Sequence, residues 1–186
     1  MNYFSDENFT KNNFLEIVKA DYEQCDFVGC DFSDFNFSGF KFSQCRFVDC
    51  NLSLAKLGDT ALREVEFQNC KMLGLRFEDC NQFGFSIDVK MSLLTHASFY
   101  QMDLRKCRFE ETDFEGVDFT EANLVKLKFN DCNFKAAIFL NSNLESVDFG
   151  EAFNFVINPE ENNVKKAKFS RENVLGLLQH LDIVIK

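Results

Sequence analysis

Residues 107–149 read CRFEE TDFEG VDFTE ANLVK LKFND CNFKA AIFLN SNLES VDF. The third letter of every group is Phe or Leu: Phe109, Phe114, Phe119, Leu124, Phe129, Phe134, Phe139, Leu144 and Phe149. The first letter is mostly small: Cys107, Thr112, Val117, Ala122, Cys132, Ala137, Ser142 and Val147, with Leu127 the large exception. A period of five fits neither an α-helix nor a simple strand. Internal repetition must therefore be settled before any element is assigned.

A longer period lies inside the five. Phe99, Phe119 and Phe139 match in steps of twenty, as do Leu104, Leu124 and Leu144, and Phe109, Phe129 and Phe149. Leu94, Phe114 and Phe134 make the fourth column. Identity that recurs every four repeats describes a four-sided coil with five residues per side. Residues twenty apart then stack on successive coils at strand-like spacing, about 4.7–4.9 Å. Like rings in such a stack can pack offset or edge to face. The expected fold class is an all-β solenoid.

The unit resembles the pentapeptide-repeat family, whose motif is written A(D/N)LXX. Val117-Asp118-Phe119, Ala122-Asn123-Leu124 and Cys132-Asn133-Phe134 are examples. The resemblance covers most of the chain. It implies a right-handed quadrilateral β-helix and no single activity.

The rest of the chain reads outward from this tract. From Ala20 to Ile87 the small residues fall at multiples of five and large ones two later, giving a column Phe27, Phe47, Phe67 and Ile87. Gln82 is the odd centre, and Phe83 or Phe85 is expected to take part of its place. Ile87 and Leu94 are seven apart, so a two-residue bulge is expected near 88–93. Phe4, Phe9 and Phe14 carry the same period at the start; an offset at 13–19 makes residues 1–19 an imperfect coil or cap. After Glu151 the composition leaves the repeat, and Ala167 and Phe169 briefly resume its phase. The expected division is a β-helix over 1–153 and a capping and dimerisation segment over 154–186.

In that segment Ser170 reads as an N-cap. Val174, Leu177, Leu178 and Leu181 read as the apolar stripe of a short C-terminal helix. Such a helix covers the open end of the core, which is why terminal repeats of solenoids are atypical. The segments Ile157 to Glu160 and Leu177 to Ile185 resemble the ends of family members that protect DNA gyrase, the plasmid quinolone-resistance and microcin-immunity proteins. That resemblance implies a homodimer, joined head to head through this segment.

Composition narrows the function classes. The chain has 186 residues, 25 of them Phe, and a formal net charge of −10. So many aromatics exclude a disordered chain. Cys25, Cys30, Cys45, Cys50, Cys70, Cys80, Cys107 and Cys132 all hold the small inward position. They read as buried free thiols rather than a disulfide framework or metal site. The start, Met1 to Glu7, has no basic region followed by an apolar run, and no membrane span is read. The expected location is cytoplasmic.

No phosphate-binding loop or dinucleotide fingerprint is present. His96 and His180 lack a second ligand at metal spacing. Scattered carboxylates are not a catalytic pair. The chain is expected to be no enzyme and to need no cofactor or metal. Surface charge is the remaining code. The candidate acidic binding face is Glu110, Glu111, Asp113, Glu115, Asp118, Asp131 and Glu151, with Glu111, Asp131 and Glu151 twenty apart. With the resemblance, it implies a DNA mimic that binds a type II topoisomerase, DNA gyrase or topoisomerase IV, and shields it from quinolones or toxins. Such a rod binds no nucleic acid itself. The alternative is a protein–protein binding or scaffold module with no topoisomerase role.

Overall fold

The computed structural model describes residues 2–11, 17–181 and 183–184. Each early coil lays down two short strands. These are β1 (Asn2–Ser5) and β2 (Asn8–Thr10), then β3 (Ala20–Glu23) and β4 (Asp26–Val28). β5 (Lys41–Ser43) and β6 (Arg46–Val48) follow, then β7 (Ala61–Arg63) and β8 (Val65–Gln68). β9 (Ile87–Lys90), β10 (Arg108–Glu110) and β11 (Phe129–Asn130) extend the second series. Among the described residues, β1-β3-β5-β7 form a 4-stranded sheet and β2-β4-β6-β8-β9-β10-β11 a 7-stranded one. Every strand pair is parallel. The other two faces are held by single bridges. Asp31, Asn51, Lys71, Leu93, Asp113, Asn133 and Phe153 stack on one; Arg76, Ser98, Asp118 and Ile138 stack on the other. The chain is a four-sided, all-parallel β-solenoid with almost no helix.

The repeat explains each corner. The first and third residues of a unit are buried because an extended backbone alternates its sides. The residue between them caps the turn. Asp113 Oδ1 accepts the backbone N–H of Glu115 (2.9 Å), and Asp118 Oδ1 accepts that of Thr120 (2.8 Å). Asn133 does the same for Lys135 (3.2 Å) and Asp148 for Gly150 (3.0 Å). This Asx turn is the physical reason for Asp or Asn at the second position of the motif. The corner residue two beyond the centre is often left-handed: Asp49, Asn69, Glu111 and Asp131 have φ of 56°, 53°, 47° and 49°. Asn and Asp tolerate that conformation better than most side chains.

Rings fill the interior. Phe9, Phe27, Phe47 and Phe67 stack at 5.0, 4.6 and 5.1 Å between centroids. Phe109, Phe129, Phe149 and Phe169 continue the column at 5.8, 5.5 and 5.4 Å. Neighbouring columns meet edge to face, as Phe129 and Phe134 do at 89°. Hydroxyls and thiols at the small positions reach carbonyls of the coil beneath. Thr60 Oγ1 donates to Phe37 O (2.7 Å), Ser142 Oγ to Phe119 O (2.9 Å) and Cys70 Sγ to Phe47 O (3.3 Å). Their polar atoms are thereby satisfied within the core.

Four expectations need correction. First, Ile87 is not a centre. It pairs with Val65, and Val89 pairs with Phe67. Since Asn81 still bridges Ala61, the two added residues lie in 82–86, not 88–93. Second, Gln82 is exposed, and its amide donates to the Cys80 carbonyl (3.1 Å). Phe85 is buried in its stead, whereas Phe83 stands 81% exposed. Third, the coil does not stop at 153. Asn143 bridges Asn163, Asp148 bridges Lys168, and Phe169 stacks on Phe149. Fourth, the short C-terminal helix is two 3-10 turns, Val174–Leu177 and Gln179–Leu181. The segment is short, and its Gly176 further disfavours an α-helix. At the N-terminus Phe9 pairs with Phe27, a step of eighteen; the expected offset at 13–19 and Phe14 fall mostly outside the described residues.

Candidate functional site

Twenty-residue spacing decides what becomes a face. Glu111, Asp131 and Glu151 lie exposed on one corner, one coil apart, with Glu110 beside the first. Among the described residues none of these four makes an ion pair. The other members of the expected acidic face have structural work. Asp113 and Asp118 hold Asx turns, and Asp113 Oδ1 also accepts from Asn133 Nδ2 (3.1 Å). Glu115 is paired with Lys135 (2.8 Å), which holds its carboxyl below the usual range. Glu121, outside that set, lies on another corner, where Gln101 donates to it (2.7 Å). The free acidic corner is therefore Glu110, Glu111, Asp131 and Glu151.

The C-terminal end forms the second candidate site. The Ser170 N–H donates to Asn173 Oδ1 (2.9 Å), and the Asn173 N–H donates back to Ser170 Oγ (3.2 Å). This is a capping box with Asn in the acidic place. Asn173 Nδ2 also donates to the carbonyls of Phe149 and Ala152, each at 2.8 Å. Asn173 thus closes the last coil. Sequence reasoning missed it, although the Ser-x-x-Asn spacing was visible. Gly176 is needed just beyond: a Cβ there would collide with the carbonyl oxygen and ring of Phe155.

The expected apolar stripe is divided. Leu177 packs against the core, while Val174, Leu178 and Leu181 are 37%, 37% and 49% exposed. Leu175 and Phe153, also exposed, flank a hollow of about 450 Å³ at this end.

Chemical reactivity is low elsewhere. All eight cysteines are free and buried. Burial pushes the Cys45, Cys107 and Cys132 thiols up to about 12. The reactive thiolate is therefore scarce near neutral pH. Among the described residues no His, Cys, Asp and Glu gather in threes to hold a metal, and no helix is long and apolar enough to cross a membrane.

A sequence model described as "Pentapeptide repeat region" matches residues 20–87 and 90–152. A search of curated proteins found no match. Two solved forms of QnrB1, a plasmid-mediated fluoroquinolone resistance protein, are similar over 99% of this chain and 97% of theirs. Both forms were trypsin-treated. Their TM-scores are 0.64, with 18% and 20% identity. Full-length QnrB1 aligns at 19% identity and a TM-score of 0.38, over 97% of both chains.

Proposed function

Since the chain belongs to the pentapeptide-repeat family, we propose that it is a non-enzymatic binding rod that engages the DNA-binding surface of a type II topoisomerase, DNA gyrase first. The observation that carries this reading is the unpaired acidic corner, Glu110, Glu111, Asp131 and Glu151. It adds one carboxylate position per coil, about 4.8 Å apart. One strand of duplex DNA carries a phosphate about every 3.4 Å of axis. The corner thus imitates one strand at roughly two-thirds of its linear charge density. Binding should weaken with salt, since exposed charges are screened beyond about 8–10 Å at ordinary ionic strength. The likeness to QnrB1 adds support for shielding of the enzyme against fluoroquinolones. Direct binding to nucleic acid is disfavoured by the net charge of −10, and the cytoplasm is the fitting location.

A supercoiling assay with purified gyrase tests the reading. Wild-type protein should inhibit supercoiling at high dose, and restore it at low dose in the presence of a quinolone. The combined changes E111K, D131K and E151K should weaken either effect about tenfold, roughly 1.4 kcal/mol, and leave the rod folded. A wild-type protein that neither binds gyrase or topoisomerase IV at low salt nor alters their activity sinks the proposal.

The same proposal includes a homodimer through the C-terminal end, where Val174, Leu175, Leu178 and Leu181 leave apolar surface in contact with solvent. Sedimentation should report a dimer for wild type and a monomer for Leu178→Glu with Leu181→Glu. A wild-type monomer at high micromolar concentration would overturn this part.

A further inference from the structure

We propose that the groove over β10 and β11 binds the phosphate chain of a small oligophosphate, a site that does not depend on the topoisomerase reading. The groove is about 470 Å³ and is lined by Arg108, Lys126, Lys128 and Asn130, with Glu110 among its carboxylates. Lys106 and Arg108 line the adjoining hollow of about 430 Å³.

Elsewhere on the rod, side chains twenty apart are often complementary. Lys41 meets Asp21 and Arg46 meets Asp26, each at 2.9 Å. Lys135 meets Glu115 at 2.8 Å and Lys168 meets Asp148 at 3.4 Å. Neutral donors follow the same rule: Gln44 donates to Glu64 at 3.0 Å. Like charges set directly opposite destabilise a sheet. Lys106 and Lys126 break the rule in one row, and Arg108 and Lys128 break it in the next. Among the described residues none of the four is in an ion pair. Of the nearby carboxylates, Asp88 meets Lys90 at 3.7 Å, Asp103 meets Arg105 at 2.6 Å and Asp148 meets Lys168 at 3.4 Å, while Glu110 on the groove is itself in no ion pair among the described residues. As at the acidic corner of Glu111, Asp131 and Glu151, a local like-charge conflict of this kind points to a ligand rather than to stability.

Charge density selects the ligand class. Within each row successive coils put the cations about 4.8 Å apart, and the two rows stand two residues apart along the strand, about 6.6–6.8 Å. An extended acidic peptide spaces its same-side carboxylates about 6.6–6.8 Å apart, enough for the cation pair of one coil but not for the second pair about 4.8 Å away on the next. A phosphate chain bears charge on successive phosphoryl groups and can lie within one coil spacing. Arg108 can take two phosphate oxygens side by side, while the lysines act as point charges. The groove has no exposed aromatic on which a base could stack, because Phe109 beneath it is buried. Recognition therefore ends at the phosphates.

Calorimetry with tripolyphosphate, ATP and an oligoglutamate, at one fixed ionic strength in chloride, tests the site. Tripolyphosphate should bind saturably, and Lys126→Glu or Lys128→Glu should weaken it about tenfold or more. Without ligand, Lys126→Glu should melt at a higher temperature than wild type, since it gives Lys106 the opposite charge one coil on and has the neutral Ser146 on its other side. A simple loss of folding could not produce that pair of results. Lys56→Glu, the same charge change on another face, should leave binding intact. ATP binding as tightly supports a nucleotide's phosphate chain as the source; weaker ATP binding supports an inorganic chain. Absence of saturable tripolyphosphate binding overturns the proposal, as does binding unchanged by Lys128→Glu. Equal affinity for oligoglutamate overturns it too.

Discussion

Phe119→Ala is expected to cost about 3–5 kcal/mol of folding free energy, the usual range for removing a buried ring. Phe119 is fully buried. Its ring lies between Phe99 at 5.5 Å and Phe139 at 5.2 Å, within 11° and 7° of parallel. Phe114 meets it edge on at 5.5 Å. Removing it takes away transfer free energy and leaves a gap that a stack of rigid rings cannot close. The backbone at Phe119 also belongs to the ladder, because its N–H donates to Ile138 O at 2.9 Å. Collapse into the gap would strain that bond. Urea melts should show the loss as a lower midpoint at unchanged slope. Tyr100→Ala, on the exposed side of the neighbouring coil, should cost less than about 1 kcal/mol. A loss under about 1 kcal/mol for Phe119→Ala would mean that the column does not support the fold.

Alkali is expected to unfold the rod well before its backbone is at chemical risk. Burial pushes the thiols of Cys45, Cys107 and Cys132 up to about 12. An ordinary thiol titrates near 8.5. The folded-state value is the raised one. The contribution is therefore fully present below about 8.5 and is lost as pH rises toward 12. In that window the unfolded chain has released protons that the folded chain still holds. Each thiol then removes about 1.4 kcal/mol per pH unit, so three remove about 4. Total stability of a domain is about 5–15 kcal/mol. Tyr22, raised to about 12 mainly by burial, adds to the slope above its ordinary 10. Urea midpoints at pH 7, 8, 9 and 10 should be flat at first and then fall steeply. Cys107→Ala should flatten the fall. A midpoint unchanged from pH 8 to about 10.5 contradicts the burial of these thiols.

Columns were readable from the chain because ring identity recurs at twenty: Phe99, Phe119 and Phe139 could be aligned without coordinates. Phase near Ile87 was not. Ile87 and Val89 are both apolar and two apart, so either can face inward; the backbone ladder chooses Val89. Gln82 looked like a strained centre, but a looser corner lets its amide turn to backbone carbonyls and puts Phe85 inside. The candidate acidic face misled for a related reason. Sequence neighbours wind around the coil, so Glu111 and Glu121 end on different corners. Residues twenty apart are the true surface neighbours, which is why Glu111, Asp131 and Glu151 do share one edge. Asp113 and Asp118 were counted as charge; their carboxylates are instead the fastenings of turns. At the C-terminus the stripe from Val174 to Leu181 has helical spacing, but Gly176 and Asn173 bind that segment to the last coil instead.

The parallel register also sets how the chain finds its fold. Paired residues along the strands are eighteen, twenty or twenty-two positions apart. Against 186 residues, a separation of twenty is a relative contact order of about 0.11, the range of helical bundles rather than of sandwiches and barrels. Each loop to be closed is equally short, and doubling its length would add only about 0.6 kcal/mol of closure entropy. Folding can therefore begin on any formed coil and zip in both directions. An all-β chain built this way should refold faster than a sandwich of the same length.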